Sequence, residues 1–528
     1  MRFDFDGNMD REVLESYLSR AVTAAGLIDS DTLKDDLRVV RRLGAKFLGR
    51  ASGVWYMTDD DEEHFQKSSA LAQRVHHMDP EIILQSCVFE IVVERMEEVL
   101  IPPYVFQAFG LPVEERRFRW ADALFPEKPR GFVDDTRRDP AKRGGIPDLN
   151  RIEARMWFYY RATRYLDCGY EALHMGQVHL YTANDRGMKK TYELFNRIRG
   201  YAAIHARRHK VLLDAHTHGV NVHGKLLFDY HAMPFTRAAL PNEDGERLVL
   251  VREGFSEGGE NPNGFTDDVM PYLMEYDNWG GRMVDHPERY SRQQLSQMDW
   301  WGYDQIGWFA NQPKRERDHF LKYTYKWTQV NNINAYFEVP LRRMLSDAAV
   351  SCIRADNGQM DMQPFYQLND RSAACPMGFG QEEAVSACWE TGNALREQYG
   401  NPKHLLRYGA RYEYDPETGM KLPEKVVVYG SFQPYVGATA NDSNSELTRM
   451  YYIGNNTYTL TVVLPYAGRF SYAVSTYGTL SATYCTDRFP RSGSGNKGEF
   501  ETVRDNSVVR FQYRFVDHEV RIEIPPCP

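Results

Sequence analysis

The stretches that decide the fold are VLLDAHTHG (residues 211–219), LLFDYHAMP (226–234) and PYLMEYDNWG (271–280). Each opens apolar and then alternates. Leu212, Asp214 and His216 share one parity; Leu227, Asp229 and His231 repeat it, and Leu273, Glu275 and Asp277 repeat it again. Successive strand side chains point to opposite faces. Each stretch, as a strand, therefore sends an apolar residue, a carboxylate and a second polar group to one side before a Gly- or Pro-marked loop. Strand ends that gather acids and histidines match the mouth of a parallel (β/α)8 barrel, where active sites lie. The plainer reading is three solvated strand ends, since Asp, His and Asn are ordinary turn residues. Three matching ends favour a shared polar pocket.

Working outward, the other strands follow. AKFLGRASGVW (45–55) reads as the first, EIILQSCVFE (81–90) as the second and YEALHMGQVHL (170–180) as the third. MDWWGYDQIGWFANQP (298–313) supplies a seventh and INAYFEVP (333–340) an eighth. Helical spacing separates most of them, and residues 10–28 also read as a helix. The predicted fold class is α/β: a TIM-type (β/α)8 barrel over 1–340, with insertions at about 111–149 and 235–270. Only about ten residues separate the strand of Asp214 from that of Asp229. A parallel crossover usually takes a dozen or more, so an antiparallel hairpin there is the alternative. Residues 341–424 form a mixed helical and loop connection, with QEEAVSACWETGNALREQYG (381–400) as one helix. From 425 to 528 the segments are short, alternating and β-branched, which predicts an antiparallel β-sandwich domain.

Composition narrows the function. A formal charge of −9 over 528 residues offers no general footprint for nucleic acid or an anionic membrane. No apolar run approaches the ~20 residues that span a bilayer. The N-terminus MRFDFDGNMD has no apolar signal core, so the expected location is cytoplasmic. Seven scattered cysteines without a CxxC pair read as reduced thiols. Neither a P-loop nor a G-x-G-x-x-G sequence is present, so no cofactor is expected. Homo-oligomer formation is left open.

Two carboxylates across a cleft are the minimum machinery for glycoside hydrolysis. Asp214, Asp229 and Glu275 fall at one level of three strands and are the candidate catalytic residues. Glu90 ends the second strand, and Gln177 and His179 share a parity near the end of the third. These three, with His216, His218, His231, Asp277 and Asn278, are candidate substrate contacts. Trp301, Tyr303 and Asp304 join them, since aromatic rings stack on sugar faces. The layout resembles the (β/α)8-barrel glycoside hydrolases over about 33–340, without matching one family's signature. That resemblance implies a carbohydrate substrate and carboxylate acid/base or nucleophile catalysis. The competing reading starts from DAHTH (214–218). It looks like the first-strand motif of amidohydrolase-type metal hydrolases, with His179, His223 and His231 to complete a shell. A noncatalytic carbohydrate-binding protein is the third reading.

Overall fold

The computed structural model describes residues 1–526 except 55–56, 59, 127–143, 218–219, 241–247, 253–257, 268, 278–304, 346–350, 355–358, 363, 403–412, 479, 481–482 and 486–496. Eight short strands form its centre: β1 (Ala21–Ala24), β2 (Phe47–Gly49), β3 (Ile83–Cys87), β4 (Ala172–His174), β5 (Leu212–Asp214), β6 (His231–Pro234), β7 (Tyr272–Glu275) and β8 (Ala335–Met344). Each pairs in parallel with the next in chain order from β1 to β5 and from β6 to β8. The circuit closes through β1 on β8, Val22 opposite Val339, and through a parallel bridge of His216 to Ala232. The described strands therefore form a parallel eight-stranded barrel.

Parity explains why these strands close. Ala21, Phe47, Ile83, Ala172, Leu212, Ala232, Leu273 and Tyr336 meet in one buried cluster that fills the barrel floor. Helix α1 (Arg11–Leu18) plugs that floor with Val13, Leu14, Tyr17 and Leu18. Val22, Leu48, Leu84, Leu173, Leu213, Met274 and Phe337 take the other parity and join the outer core under the helices. Both faces of each strand are thus dry, as a parallel barrel requires. The outer layer includes α2 (Leu33–Leu43), α3 (Asp61–Met78), α4 (Ile152–Asp167), α5 (Lys189–His205) and α6 (Lys314–Asn331).

Three expectations are corrected. The first barrel strand is AVTA (21–24), inside the stretch read as helix, so the strand at 47–49 is the second. Its four residues are all buried, which leaves no alternation to read. Gln305–Ala310, expected within a seventh strand, is helical; the apolar run that suggested a buried strand is a buried helix, two states that periodicity alone does not separate. Residues 298–304 lie outside the described residues. The strand expected from 226 begins at His231. Lys225–Leu226 instead pairs with Asn221–Val222 in a small hairpin, turned by His223 and Gly224 in left-handed conformations. That hairpin is the crossover from β5 to β6: it replaces a helix, and the two barrel strands remain parallel.

The helix expected over 381–400 divides into Glu382–Glu390 and Ala394–Tyr399, with left-handed Gly392 between them. The C-terminal part carries two four-stranded antiparallel sheets. One apolar cluster, including Val428, Leu460, Tyr472 and Phe511, unites them. The hairpin Thr236–Ala239/Leu248–Arg252 leaves the mouth end of β6, and its Val251 packs on Gly437 of that C-terminal part. No helix among the described residues is long and apolar enough to cross a membrane.

The floor makes a stability prediction. Leu273→Ala removes a side chain that is 1% exposed and should cost about 2–5 kcal/mol. Ile204→Ala, at a residue 73% exposed, should stay within about 0.5 kcal/mol. Urea unfolding midpoints of the two variants check this.

Candidate active site

Above the apolar floor the interior turns polar. Two residues past the floor, the next inward positions are Gly49 on β2, Gln85 on β3, His174 on β4, Asp214 on β5, Glu275 on β7 and Glu338 on β8, and this level carries the site. On β2 the chain leaves Gly49 into Arg50, whose left-handed φ of 58° turns its side chain back over the barrel. Its backbone N–H donates to Gln85 Oε1 at 3.0 Å. The Arg50 guanidinium grips Glu275 with two bonds of 2.6 Å and lies 2.8 Å from His216 Nε2. Such bidentate, charge-assisted pairs are the strong kind. Arg343, at the extended end of β8, adds a third contact to Glu275 at 3.0 Å and pairs with Asp277. His216 Nε2 lies 2.7 Å from Glu275 Oε1, and its Nδ1 lies 3.8 Å from Asp277.

This arrangement fixes charge states. Burial by itself would raise the Glu275 carboxyl, but Arg50 and His216 outweigh it and hold Glu275 well below the usual carboxylate range. Burial would likewise lower His216, and the charges of Asp277 and Glu275 raise it above its ordinary value. Glu275 is thus an anion set in a frame of donors.

A second layer lies beneath. Asp214 accepts from Gln85 Nε2 at 2.6 Å and meets His174 Nδ1 at 2.8 Å. Gln85 also donates to Tyr230 Oη at 3.0 Å. Burial pushes Asp214 up to about 7, partly offset by Arg50 and His216. Burial, reinforced by Arg50, keeps His174 well below its usual value, so its ring is neutral. Glu338 is in register with Glu275 across β7 and β8. Burial, with the Glu275 charge next, pushes it up to about 8. A Cβ at Gly49 would run into the Glu338 carboxyl, which is why a glycine fits there. The site therefore stacks one carboxylate held low over two that burial raises to about 7 and about 8.

Glu90 sits at the same mouth. It is 1% exposed, accepts the Gln177 backbone N–H at 3.1 Å, and feels the charges of His216 and Asp277. Burial raises its pKa. Gly176, at a left-handed φ of 64°, passes so close to that carboxyl that any Cβ would collide with it.

The structure brings Asp214, Glu275, His216, Asp277 and Glu90 together at one end of the barrel, with the Gln177 backbone alongside. Asp229 is not among them. It precedes β6, and its carboxylate accepts from Leu213 N at 3.0 Å, Asn263 Nδ2 at 2.8 Å and Arg199 at 3.1 Å. It is a buried clasp that fixes the crossover against β5. The common cavity expected for Asp214, Asp229 and Glu275 is corrected on this point, because the β6 strand starts two residues beyond Asp229. His231 is in register with Tyr272 on the outward parity, and its ring meets Phe228 edge-on at 5.8 Å. His179 is exposed on the short helix Val178–Tyr181. His218, Asn278, Trp301, Tyr303 and Asp304 lie outside the described residues.

Arg50, Gln85, His174, Tyr230, Glu338 and Arg343 were not foreseen. One signal was available for two of them: a lone ionisable residue inside an apolar strand, His174 in EALHMG and Glu338 in AYFEVP. Such a group is expensive to bury and demands an internal partner. His216, Glu275 and Asp277 also have ligand atoms within 4.8 Å of one another and could hold a divalent ion. Arg50 and Arg343 already supply the positive charge there, so an ion would have to displace guanidinium contacts.

No family model matches the sequence, and no curated protein matches it. Among solved structures, an acarbose-soaked debranching enzyme from Nostoc punctiforme overlays with a TM-score of 0.35 at 9% identity, covering 94% of this chain and 98% of that one. An enzyme described as family GH13_31 overlays with a TM-score of 0.40 at 9% identity, covering 94% and 99%. A pullulanase from Bacillus acidopullulyticus is 22% identical over 20% of this chain and 13% of its own, with a TM-score of 0.16. Overlays this loose leave the barrel to be established by its strand pairing.

The charge pattern gives a pH prediction. An unfolded Asp titrates near 3.9, whereas Asp214 in the fold titrates at about 7. Between those values the native state holds a proton that the unfolded chain has lost, so this group's contribution to stability falls as pH rises from about 4 to 7. Asp214→Asn keeps an acceptor for Gln85 and should reduce that decline. Stability of both proteins, measured across this range by urea unfolding, tests the sign.

Proposed function

We propose that this protein is a glycoside hydrolase, with Glu275 as its ionised carboxylate and Glu90 as its proton donor. One observation carries the reading: two carboxyls at one barrel mouth are pushed in opposite directions. Arg50 and His216 hold the Glu275 carboxyl low, while burial raises that of Glu90. Acid and base assignments follow from titratable groups whose environments separate their pKa values. Hydrolysis of an acetal needs this pairing, because the leaving oxygen takes a proton while positive charge develops on the sugar. Glu275 faces that charge or attacks the anomeric carbon; Glu90 protonates the departing oxygen. His216 and Asp277, at the more exposed edge, are placed to hydrogen-bond sugar hydroxyls. Asp214 and Glu338, both raised by burial, carry less negative charge beneath than ordinary carboxylates and leave Arg50 committed to Glu275.

The test is a pair of conservative variants. Glu275→Gln should leave the fold intact and cut turnover of a glycoside by at least ~100-fold, the lower range of acid–base contributions. Glu90→Gln should cost as much on an alkyl glycoside, yet far less on an activated aryl glycoside whose leaving group needs no proton. Near-normal turnover by Glu275→Gln overturns the assignment.

The metal-hydrolase reading has a specific observation in its favour, the His216–Glu275–Asp277 cluster. On the reading proposed here, dialysis against a strong chelator leaves turnover unchanged. A stoichiometric ion lost together with activity, measured by elemental analysis, selects the metal hydrolase instead.

A further inference from the structure

On the outer wall of the barrel, α2 and α3 border an open groove of about 660 Å³ lined by Lys34, Leu37, Arg38, Arg41, Arg42, Arg74, His77 and Met78. Among the described residues no acidic side chain lines it, although the chain as a whole carries a net charge of −9. Arg38 is committed to Asp35 and Glu382, and Arg42 to Glu382, Asp370 and Glu383. Lys34, Arg41, Arg74 and His77 are exposed, and their side chains have no hydrogen-bond or ion-pair partner among the described residues. The C-terminal ends of α2 and α3 lead into β2 and β3, so this end of the groove is opposite the mouth.

Helix electrostatics accounts for part of this charge. Arg41, Arg42 and His77 sit in last turns, where cations suit the macrodipole. Lys34 does not fit that account: it is in the first turn of α2, where a cation opposes the dipole. Lys34, Arg41 and Arg74, three like charges left facing one channel, repel one another, and an anion relieves that repulsion.

We propose that this groove binds a linear anionic oligosaccharide, bearing carboxylate or sulfate groups, as a second carbohydrate site outside the barrel mouth. Lys34 and Arg41, the two uncommitted cations of α2, stand at i and i+7, about 10.5 Å apart along its axis, close to the length of two sugar rings; Arg38 between them is held by Asp35 and Glu382. An extended peptide presents same-side residues roughly 6.6 Å apart, a poorer match. Guanidinium forks suit carboxylate and sulfate oxygens, and Leu37 and Met78 give the floor an apolar strip for ring C–H faces. The choice of a sugar chain over other polyanions rests on the proposed glycosidase activity; the binding measurement does not.

The experiment is calorimetric titration of the full chain at low salt. The ligands are a galacturonate hexamer, a sulfated hexasaccharide, a neutral maltohexaose, a hexaglutamate peptide and inorganic phosphate. At least one anionic hexasaccharide should bind, weaken at least tenfold in 0.3 M salt, and weaken at least 30-fold in the variant Lys34→Glu/Arg41→Glu/Arg74→Glu. Carboxylate and sulfate arms distinguish the two sources of charge. The variant should retain wild-type turnover of a small neutral glycoside, or, if the glycosidase reading fails, wild-type unfolding by urea. Three results overturn the proposal: neither anionic sugar binds; binding is unchanged in the variant; or hexaglutamate or phosphate binds as tightly as the sugars.

Discussion

The buried contact between Arg50 and Glu275 constrains the rest of the molecule. Two unit charges removed from water are costly, and their mutual attraction repays that only when geometry is good and the remaining donors and acceptors are filled. Both conditions hold here. The fork is bidentate, with both bonds at 2.6 Å. Arg343 and His216 complete the anion's shell, and Gln85 holds the Arg50 backbone in its left-handed turn. The ends of β2, β5, β7 and β8 must come to one level for this to happen, and closure of the barrel brings them there. Removal of any one partner leaves a buried charge uncompensated, which costs more than the intact pair contributes.

The apolar floor and the polar mouth depend on each other through strand parity. The same inward-facing row that carries Leu212 and Leu273 carries Asp214 and Glu275 two residues later. Floor packing therefore sets the height of the site. Helix α1 packs into the opposite end of the barrel. Burial raises Asp214 and Glu338; the same burial strengthens the Arg50 interaction that keeps Glu275 charged. One dielectric environment thus accompanies shifts in opposite directions, and the deciding difference is which carboxylate the guanidinium faces.

Asp229 shows how a sequence pattern misleads. Its spacing from Leu227 and His231 matches that of Asp214 from Leu212 and His216. Yet its carboxylate serves Leu213, Asn263 and Arg199 outside the barrel. Parity says which residues share a face of a strand; it does not say where the strand begins. The crossover hairpin consumes Lys225 and Leu226, delays β6 to His231 and leaves Asp229 on the approach. The clasp is a consequence of that delay, since the approaching chain needs its polar backbone satisfied against β5.

The sequence by itself determined the class of fold and the level of the polar layer. Alternation ending in Asp214, Glu275 and Asp277 is local chemistry, and two-residue periodicity carries it without knowledge of any neighbour. Glu90 was legible for the same reason, as an acid ending an apolar strand. The first strand was not legible: AVTA is four residues long and buried throughout, so it carries no period, and only its pairing with β2 and β8 makes it a strand. Arg50, Gln85 and Arg343 were invisible as site residues because each is far in sequence from Glu275. What an arginine neutralises is decided by distance in space. Charge state, too, belonged to the tertiary structure alone: Glu275 and Glu338 look alike as residues and are both buried, and the guanidinium and imidazole that face Glu275 separate them.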